Sequence, residues 1–400
     1  MQERQKRTES EKSIAEVSIT RKGLERLVQG HLWIYRADLI TSKIAPLPGS
    51  IVRVRGPQGQ LLGKAFYSSQ SQIALRLITT TDEPINRQFW HSRLVAAHQL
   101  RERVVEGAQA YRLIHGEGDL IPSLIIDRYG ECFVLQMLSQ ATDALRTTWL
   151  ELLKEMFQPR TLIERDDVRV RTLEGLPEQT AILAGQPPPK LIIDQHGVGF
   201  TVDLLGGQKT GLFLDQRENH RSARHYAHGR ALDCFTFTGA FALHMAENAE
   251  SVLGLDISAA AIEQAEQNAT LNGLNNVHFE VANVFDRLRD FDLAKEQFDT
   301  VVLDPPAFAK NRAAIPAAIR GYKEINLRAM KLLSPGGILI TCTCSFNVSE
   351  EMFLEILQAA AADAGRCLQL LEKRTQGRDH PMLLALPETY YLKCMILRVL

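Results

Sequence analysis

Cysteine is scarce in this chain, with six in 400 residues. So few thiols make no disulfide framework, and with no export signal they are expected to stay reduced in the cytosol. No apolar run reaches transmembrane length and the N-terminus carries no signal-peptide pattern, so neither a membrane partner nor secretion is expected. A strong overall charge is lacking too. The net charge is −1, with 45% hydrophobic and 23% charged residues, the proportions of a globular protein in water. Internal repeats and low-complexity tracts are absent. What is present is length: 400 residues exceed one ordinary core and predict two or three domains.

The neutral total conceals an asymmetry. Residues 1–90 hold 14 Lys and Arg against 8 Asp and Glu, a balance of +6, which leaves −7 for the remainder. A basic N-terminal module points to a polyanionic partner. Within it, residues 1–14 read as a disordered polar tail and residues 15–85 as a small β-rich domain. Strands are expected at Ser50-Ile51-Val52-Arg53-Val54, Leu61-Leu62-Gly63-Lys64-Ala65 and Ile73-Ala74-Leu75-Arg76-Leu77-Ile78. His31, Trp33, Tyr35 and Arg36 have the chemistry for phosphate contacts and base stacking, or the aromatics are core residues of a small barrel.

Residues 86–190 read as a second, α+β domain. It has a helical connector from Asn86, a hairpin turning at Arg128-Tyr129-Gly130-Glu131, and a leucine-spaced helix over 142–157. A short strand, Leu162-Ile163-Glu164, follows, and the domain closes in Gln186-Pro187-Pro188-Pro189. His115, Glu117 and Asp119 could ligate a metal, but a polar-capped turn is the better reading.

From residue 191 strands and helices alternate. Strands are expected at 231–235, 251–255, 277–281, 300–303 and 337–341, and helices at 217–226, 258–271 and 322–333. Two late strands are expected at 368–371 and 392–399. The pattern predicts an α/β fold, a Rossmann-like doubly wound parallel sheet. Two of its strands end in chemistry. Val301-Val302-Leu303 stops at Asp304, and Pro305 and Pro306 then force a stiff, non-helical exit. Gly337-Ile338-Leu339-Ile340-Thr341 runs into Cys342-Thr343-Cys344-Ser345. Ligands of open α/β sheets bind outside such carboxyl ends.

The first strand exits through Thr238 and Gly239 with a single glycine, which is not the dinucleotide fingerprint. About twenty residues on, Asp256 could accept both hydroxyls of a ribose, and Asn283 could hydrogen-bond an adenine edge. A ribose acid and an adenine reader without a phosphate loop suit S-adenosylmethionine (SAM). Asp304, rimmed by two prolines and Phe308, suits a planar base with an exocyclic amine. Cys344 suits a thiolate that adds to C6 of a pyrimidine and makes C5 nucleophilic. Cys342, two residues earlier and still within the apolar strand, reads as structural. A Cys-x-Cys metal site lacks a second ligand pair nearby, so no metal is expected. Cys132, Cys234, Cys367 and Cys394 read as core.

Several of these stretches together resemble one family. They are Lys209-Thr210-Gly211-Leu212-Phe213-Leu214-Asp215-Gln216-Arg217, Cys234-Phe235-Thr236-Phe237-Thr238-Gly239, Asp304-Pro305-Pro306-Ala307-Phe308, Arg320-Gly321-Tyr322-Lys323 and Cys344-Ser345. From about residue 17 onward the chain resembles the bacterial class I SAM-dependent methyltransferases of the ribosomal RNA large subunit methyltransferase I type, which make 5-methylcytidine. The resemblance implies a PUA RNA-binding domain over 15–85, a central α+β domain over 86–190 and a methyltransferase domain over 191–400. It implies large-subunit ribosomal RNA as partner. It places Phe213, Asp215, Gln216, Arg217 and Cys234 at the SAM pocket, with Thr238 and Gly239 at the methionine part. Asp256 would take the ribose, and Asn283 and Val284 the adenine. Lys209, Pro305, Pro306 and Phe308 would meet the substrate, Asp304 would hold the cytosine, and Cys344 would be the nucleophile. Asn283 stands where the family commonly has Asp. Pro306 stands where another family of RNA cytosine methyltransferases has a second cysteine. Two other readings stay open: an N-methyltransferase acting on guanine N2 or adenine N6, and a non-catalytic RNA-binding factor. An exposed sheet edge would allow a homodimer.

Overall fold

The computed structural model describes residues 14–40, 45–207 and 210–400. Most of the expected N-terminal tail and Lys209, a candidate substrate residue, lie outside the described residues. Short alternating runs form β1 (Glu16–Ser18), β2 (Trp33–Tyr35), β3 (Ile51–Arg55), β4 (Leu61–Tyr67) and β5 (Ile73–Thr79). They make one sheet ordered β1-β3-β4-β5-β2 around Val17, Ile34, Val52, Val54, Leu75 and Leu77. Trp33 is only half-buried, and its indole N–H donates to Glu117 of the next module at 2.9 Å.

The connector helix Arg87–Val104 starts where the Asn86 side chain accepts from Phe89 N. The central sheet is built from β6 (Ala110–His115), β7 (Leu124–Tyr129), β8 (Cys132–Met137), β9 (Thr161–Arg165) and β10 (Thr180–Gly185), ordered β10-β9-β8-β7-β6. Trp90 from the connector meets Trp149 edge-on at 5.1 Å beneath it. The helix expected over 142–157 is broken at Leu145 into Gln140–Ala144 and Arg146–Phe157. The Trp149 indole N–H donates to the Thr142 carbonyl at 3.0 Å, which takes up the acceptor an unbroken helix would have used. His115 and Glu117 flank or lie in a 3₁₀ turn, Gly116–Asp119, and Asp119 accepts from Arg101 and from His115 N, as a capped turn requires.

After the hairpin β11 (Leu191–Gln195) and β12 (Val198–Val202) comes the largest sheet. Its strands are β13 (Arg230–Cys234), β14 (Ser251–Asp256), β15 (Val277–Val281), β16 (Phe298–Leu303), β17 (Leu333–Thr343), β18 (Leu368–Thr375) and β19 (Lys393–Val399). The order is β15-β14-β13-β16-β17-β19-β18, with the first five parallel and β19 antiparallel to both neighbours. Side chains alternate between faces along each strand. Val301 and Leu339 join the cluster under the helices Ile315–Leu332 and Glu350–Ala364, while Val302, Ile340 and Cys342 join the opposite one. The helix expected from residue 322 begins seven residues earlier, with a proline in its first turn. Cys367, read as core, is exposed, because it sits just ahead of edge strand β18. No helix among the described residues is long and apolar enough to cross a membrane.

One buried ion pair clasps the modules together. Arg217 donates to Asp379 at 2.9 and 3.2 Å and to the Ala110 carbonyl of β6 at 3.2 Å. Asp379 also accepts from Arg112 N at 2.8 Å. Burial alone would raise the Asp379 carboxyl, but His380 and Arg217 beside it hold it well below the usual range. Removing one partner strands the other charge in the interior. Asp379→Ala is therefore expected to lower unfolding free energy by about 3–5 kcal/mol, read from urea denaturation; a loss under about 1 kcal/mol would contradict the clasp.

Candidate active site

The strand order reverses between β13 and β16, and ligands of open sheets bind at such a switch point. A cavity of about 570 Å³ opens there. Its wall takes residues 235–238 after β13, 256–258 at the end of β14, 282–285 after β15, 304–308 after β16 and Cys344 after β17.

The β13 exit is a tightly wound loop. Phe235, Phe237 and Gly239 have φ of 65°, 50° and 87°, the left-handed region that bulky side chains avoid. Such backbone persists only where its surroundings hold it. Here Phe237 N donates to Asp256 Oδ2 at 3.0 Å and Thr236 N to the Leu255 carbonyl at 2.9 Å. Ser258 N donates to Asp256 Oδ1 at 2.9 Å, so each carboxylate oxygen is fixed by one backbone donor. A carboxylate so oriented keeps acceptor capacity on both oxygens, which suits two vicinal hydroxyls. The buried Asp233 accepts from Thr236 Oγ1 and Ala242 N beneath the loop. Burial pushes its carboxyl up to about 7, and the charges of Asp304 and Asp256 add to the rise.

Asn283 Oδ1 accepts from Phe285 N at 3.0 Å and caps the helix Val284–Ala294. Its oxygen is tied into that cap, so its amide N–H groups are the better-placed donors for a purine edge. Phe213 lies edge-on to Phe237 at 5.1 Å, and Asp215 accepts from the Tyr391 hydroxyl at 2.8 Å. Gln216 links two parts of the site: its oxygen accepts from Asn219 at 2.6 Å and its nitrogen donates to Asp304 Oδ1 at 2.9 Å.

Of the sequence-derived candidates, Phe213, Asp215, Gln216, Thr238, Asp256, Asn283, Val284, Asp304, Pro305, Pro306, Phe308 and Cys344 line this one cavity. Three do not. Arg217 turns away into its pair with Asp379. Cys234 is fully buried within β13, where burial pushes its thiol up, and only its carbonyl meets the site, accepting from Asp304 N at 3.3 Å. Gly239 is where the loop packs on Phe279, whose ring an added Cβ would meet at 3.0 Å. Two buried polar wall residues carry no sequence signal: Gln195 at the end of β11 and His220 in the helix Arg217–Tyr226. They are 2% and 3% exposed, and Gln195 Nε2 and His220 Nδ1 have no hydrogen-bond partner among the described residues. Burial lowers His220 well below the ordinary histidine range, so it is a neutral donor and acceptor. Orphaned buried polar atoms in a cavity lined by several Phe rings fit a ligand with a planar base and a polar amino-acid end, as SAM has.

The acid and the thiol sit on loops stapled to each other. Ser345 Oγ accepts from Ala309 N at 3.1 Å and shares a hydrogen bond of 3.0 Å with the Tyr322 hydroxyl. That hydroxyl also accepts from Thr343 Oγ1 at 2.8 Å. Asn347 Nδ2 donates to the Ala309 carbonyl at 3.1 Å. Phe308 packs on Tyr322 at 4.6 Å and over Gly321, where an added Cβ would meet the ring at 3.2 Å. The result brings Cys344 Sγ to 3.9 Å from the Pro305 carbonyl, at the edge of the cavity. Cys342 lies inside the sheet, fully buried and opposite Cys394 in the ladder, and burial pushes its thiol well up.

Comparison with known proteins identifies the fold and the family. A methyltransferase domain model matches residues 225–384, and a PUA-like domain model matches residues 17–80. The solved structure of SMU.776, a methyltransferase complexed with SAH, is similar at TM-score 0.84 and 20% identity, over 96% of this chain and 100% of that one. The fold is that of a Rossmann-like SAM-dependent methyltransferase carrying a PUA-like domain, and SAM is its cofactor. Ribosomal RNA large subunit methyltransferase I of Tolumonas auensis is 41% identical over 94% of this chain and 96% of that protein. The proteins of that name from Shewanella amazonensis and Vibrio vulnificus are each 40% identical, over 92% and 95% of this chain and 95% and 98% of theirs. The chain belongs to the ribosomal RNA large subunit methyltransferase I family.

Two outcomes follow from the geometry. Asp256→Ala removes both side-chain acceptor oxygens and is expected to weaken SAM binding at least about tenfold by calorimetry; unchanged affinity would contradict the ribose assignment. Tyr322→Phe removes the staple between the loops. It is expected to cost about 1–2 kcal/mol of stability and to slow methyl transfer about tenfold or more with SAM affinity within about twofold. Unchanged turnover would show that the loops hold their positions without it.

Proposed function

We propose that this protein methylates C5 of a cytidine in large-subunit ribosomal RNA through a covalent adduct between Cys344 and C6. The observation that carries the reading is the pairing of Asp304 and Cys344 on stapled loops at one cavity. An amine methyltransferase needs an acid to hold the amine, but it has no use for a thiol there. The names of the relatives support large-subunit ribosomal RNA as substrate, and the basic N-terminal module supports a polyanionic one.

In this reading the Asp304 carboxylate accepts from the exocyclic N4–H of cytosine, and Pro305, Pro306 and Phe308 border the ring. Asp256, Asn283 and Val284 hold the nucleoside of the cofactor, Phe213 and Thr238 pack beside it, and Asp215, Gln216, Gln195 and His220 offer polar groups for the rest. Lys209 is proposed as a contact to the substrate. The Cys344 thiolate adds to C6. The S–C6 bond forms, the C5=C6 π bond breaks, and the electron pair makes C5 a nucleophile. Bound SAM would supply the methyl group from its sulfonium to C5 and leave as SAH. A base then takes the C5 proton, the electron pair restores C5=C6, and Cys344 leaves as thiolate.

Cys344→Ala is expected to lower methyl transfer to deproteinised large-subunit rRNA by at least about 10³-fold, while Cys342→Ala stays within a few-fold of the parent. RNA containing 5-fluorocytidine has no C5 proton to lose, so it should leave a stable Cys344 adduct visible by peptide mass spectrometry. Full activity in Cys344→Ala would overturn the covalent reading in favour of amine methylation.

A further inference from the structure

The thiol that this reading makes the nucleophile has a buried cation beside its turn. Lys393 begins β19, opposite Thr343 of β17 in antiparallel register. It is 2% exposed. Its Nζ donates to the carbonyls of Ser345 and Tyr391, each at 3.4 Å, and lies 5.1 Å from the centre of the Tyr390 ring. Among the described residues Lys393 makes no ion pair with a carboxylate. Glu350, the acid that acts on it, is engaged by Lys373 Nζ at 2.7 Å and by the Tyr390 hydroxyl at 2.8 Å.

An ammonium buried without a carboxylate partner is costly, and fold stability alone gives little reason to keep one. Burial pulls Lys393 down to about 8, against the upward pull of Cys344 and Glu350. Cys344 is thus felt at the ammonium, and the residue after Cys344 supplies one of the two carbonyls that hold it. The Pro305 carbonyl, 3.9 Å from Sγ, favours the protonated thiol, and a neighbouring cation opposes it.

We propose that Lys393 is a positioning residue for the nucleophile: fixed on the turn that carries Cys344, its ammonium holds that thiol in the thiolate form. The proposal rests on the covalent reading given above. The thiol proton passes to water before attack, Lys393 keeps its own proton, and no bond is made or broken at its nitrogen. The groups facing it are Cys344 from the end of β17, Glu350 from the helix that follows, and Tyr390 from the approach to β19.

The test is the rate of iodoacetamide alkylation at Cys344 in the full chain, followed by peptide mass spectrometry across about pH 6 to 10, since only the thiolate reacts. Lys393→Met is expected to slow Cys344 alkylation near pH 7 about tenfold and to move its midpoint upward. Lys393→Arg, which keeps the charge, should stay within about twofold of the parent. Exposed Cys367 should react alike in all three proteins and serves as the internal reference. A Lys393→Met profile that overlays the parent's would overturn the proposal. So would equal slowing in both variants, which would make the role one of packing. Neither result depends on turnover, whereas the covalent reading fails separately if Cys344→Ala still methylates.

Discussion

The site depends on one hydrogen-bonded pin, the Tyr322 hydroxyl against Ser345 Oγ, with Ala309 N on the same oxygen. Without it, a parallel sheet offers only two loops at the ends of adjacent strands, each free to choose its own course. With it, the Asp304 loop and the Cys344 loop become one rigid edge of the cavity. Tyr322 is fully buried in the middle of the helix Ile315–Leu332, so the pin is anchored in the core rather than in other loops. Gly321 beside it lets Phe308 lie down on Tyr322, which closes the same edge by packing. Catalysis that needs a base held against a thiol gains from such preorganisation.

The same economy of position separates two thiols of one strand. Cys342 and Cys344 are two residues apart, yet Cys342 lies within the ladder opposite Cys394 while Cys344 is just past its last pair, Thr343 with Lys393. Burial makes Cys342 a poor source of thiolate. Cys344, at the cavity edge, has access to a ligand and a cation near its turn. The chemical difference comes from where the strand stops, not from the residue type.

Much of this was legible in the sequence because it is local. An apolar run that stops at Asp304 before two prolines reads as a strand end, and five strands in βα order predict the parallel sheet. The helix Arg217–Tyr226 and strand β15 have the limits the pattern predicts. What was not legible comes from distant chain. Gln195, His220 and Tyr391 reach the site from a hairpin, the far side of a helix and the C-terminal segment. Arg217 shows the converse: it shares a motif with Asp215 and Gln216, but the helix that starts there rotates it away from the cavity and onto Asp379. A stretch of sequence does not say which of its residues faces which partner when one turn serves two purposes. The break at Leu145 and the exposure of Cys367 likewise follow from tertiary partners, Trp149 and the edge of the sheet, that no periodicity records.

The central claim is that the acid and the thiol act together on a carbon atom of a pyrimidine. It is tested most directly by the chemical position of the transferred methyl group. Unmodified large-subunit rRNA is incubated with the protein and deuteromethyl-labelled SAM, digested to nucleosides and resolved by mass spectrometry. The account predicts that the label appears in 5-methylcytidine. Label in an N-methylated guanosine or adenosine would contradict it, since the Asp304 loop would then hold an amine and Cys344 would have no part in the reaction.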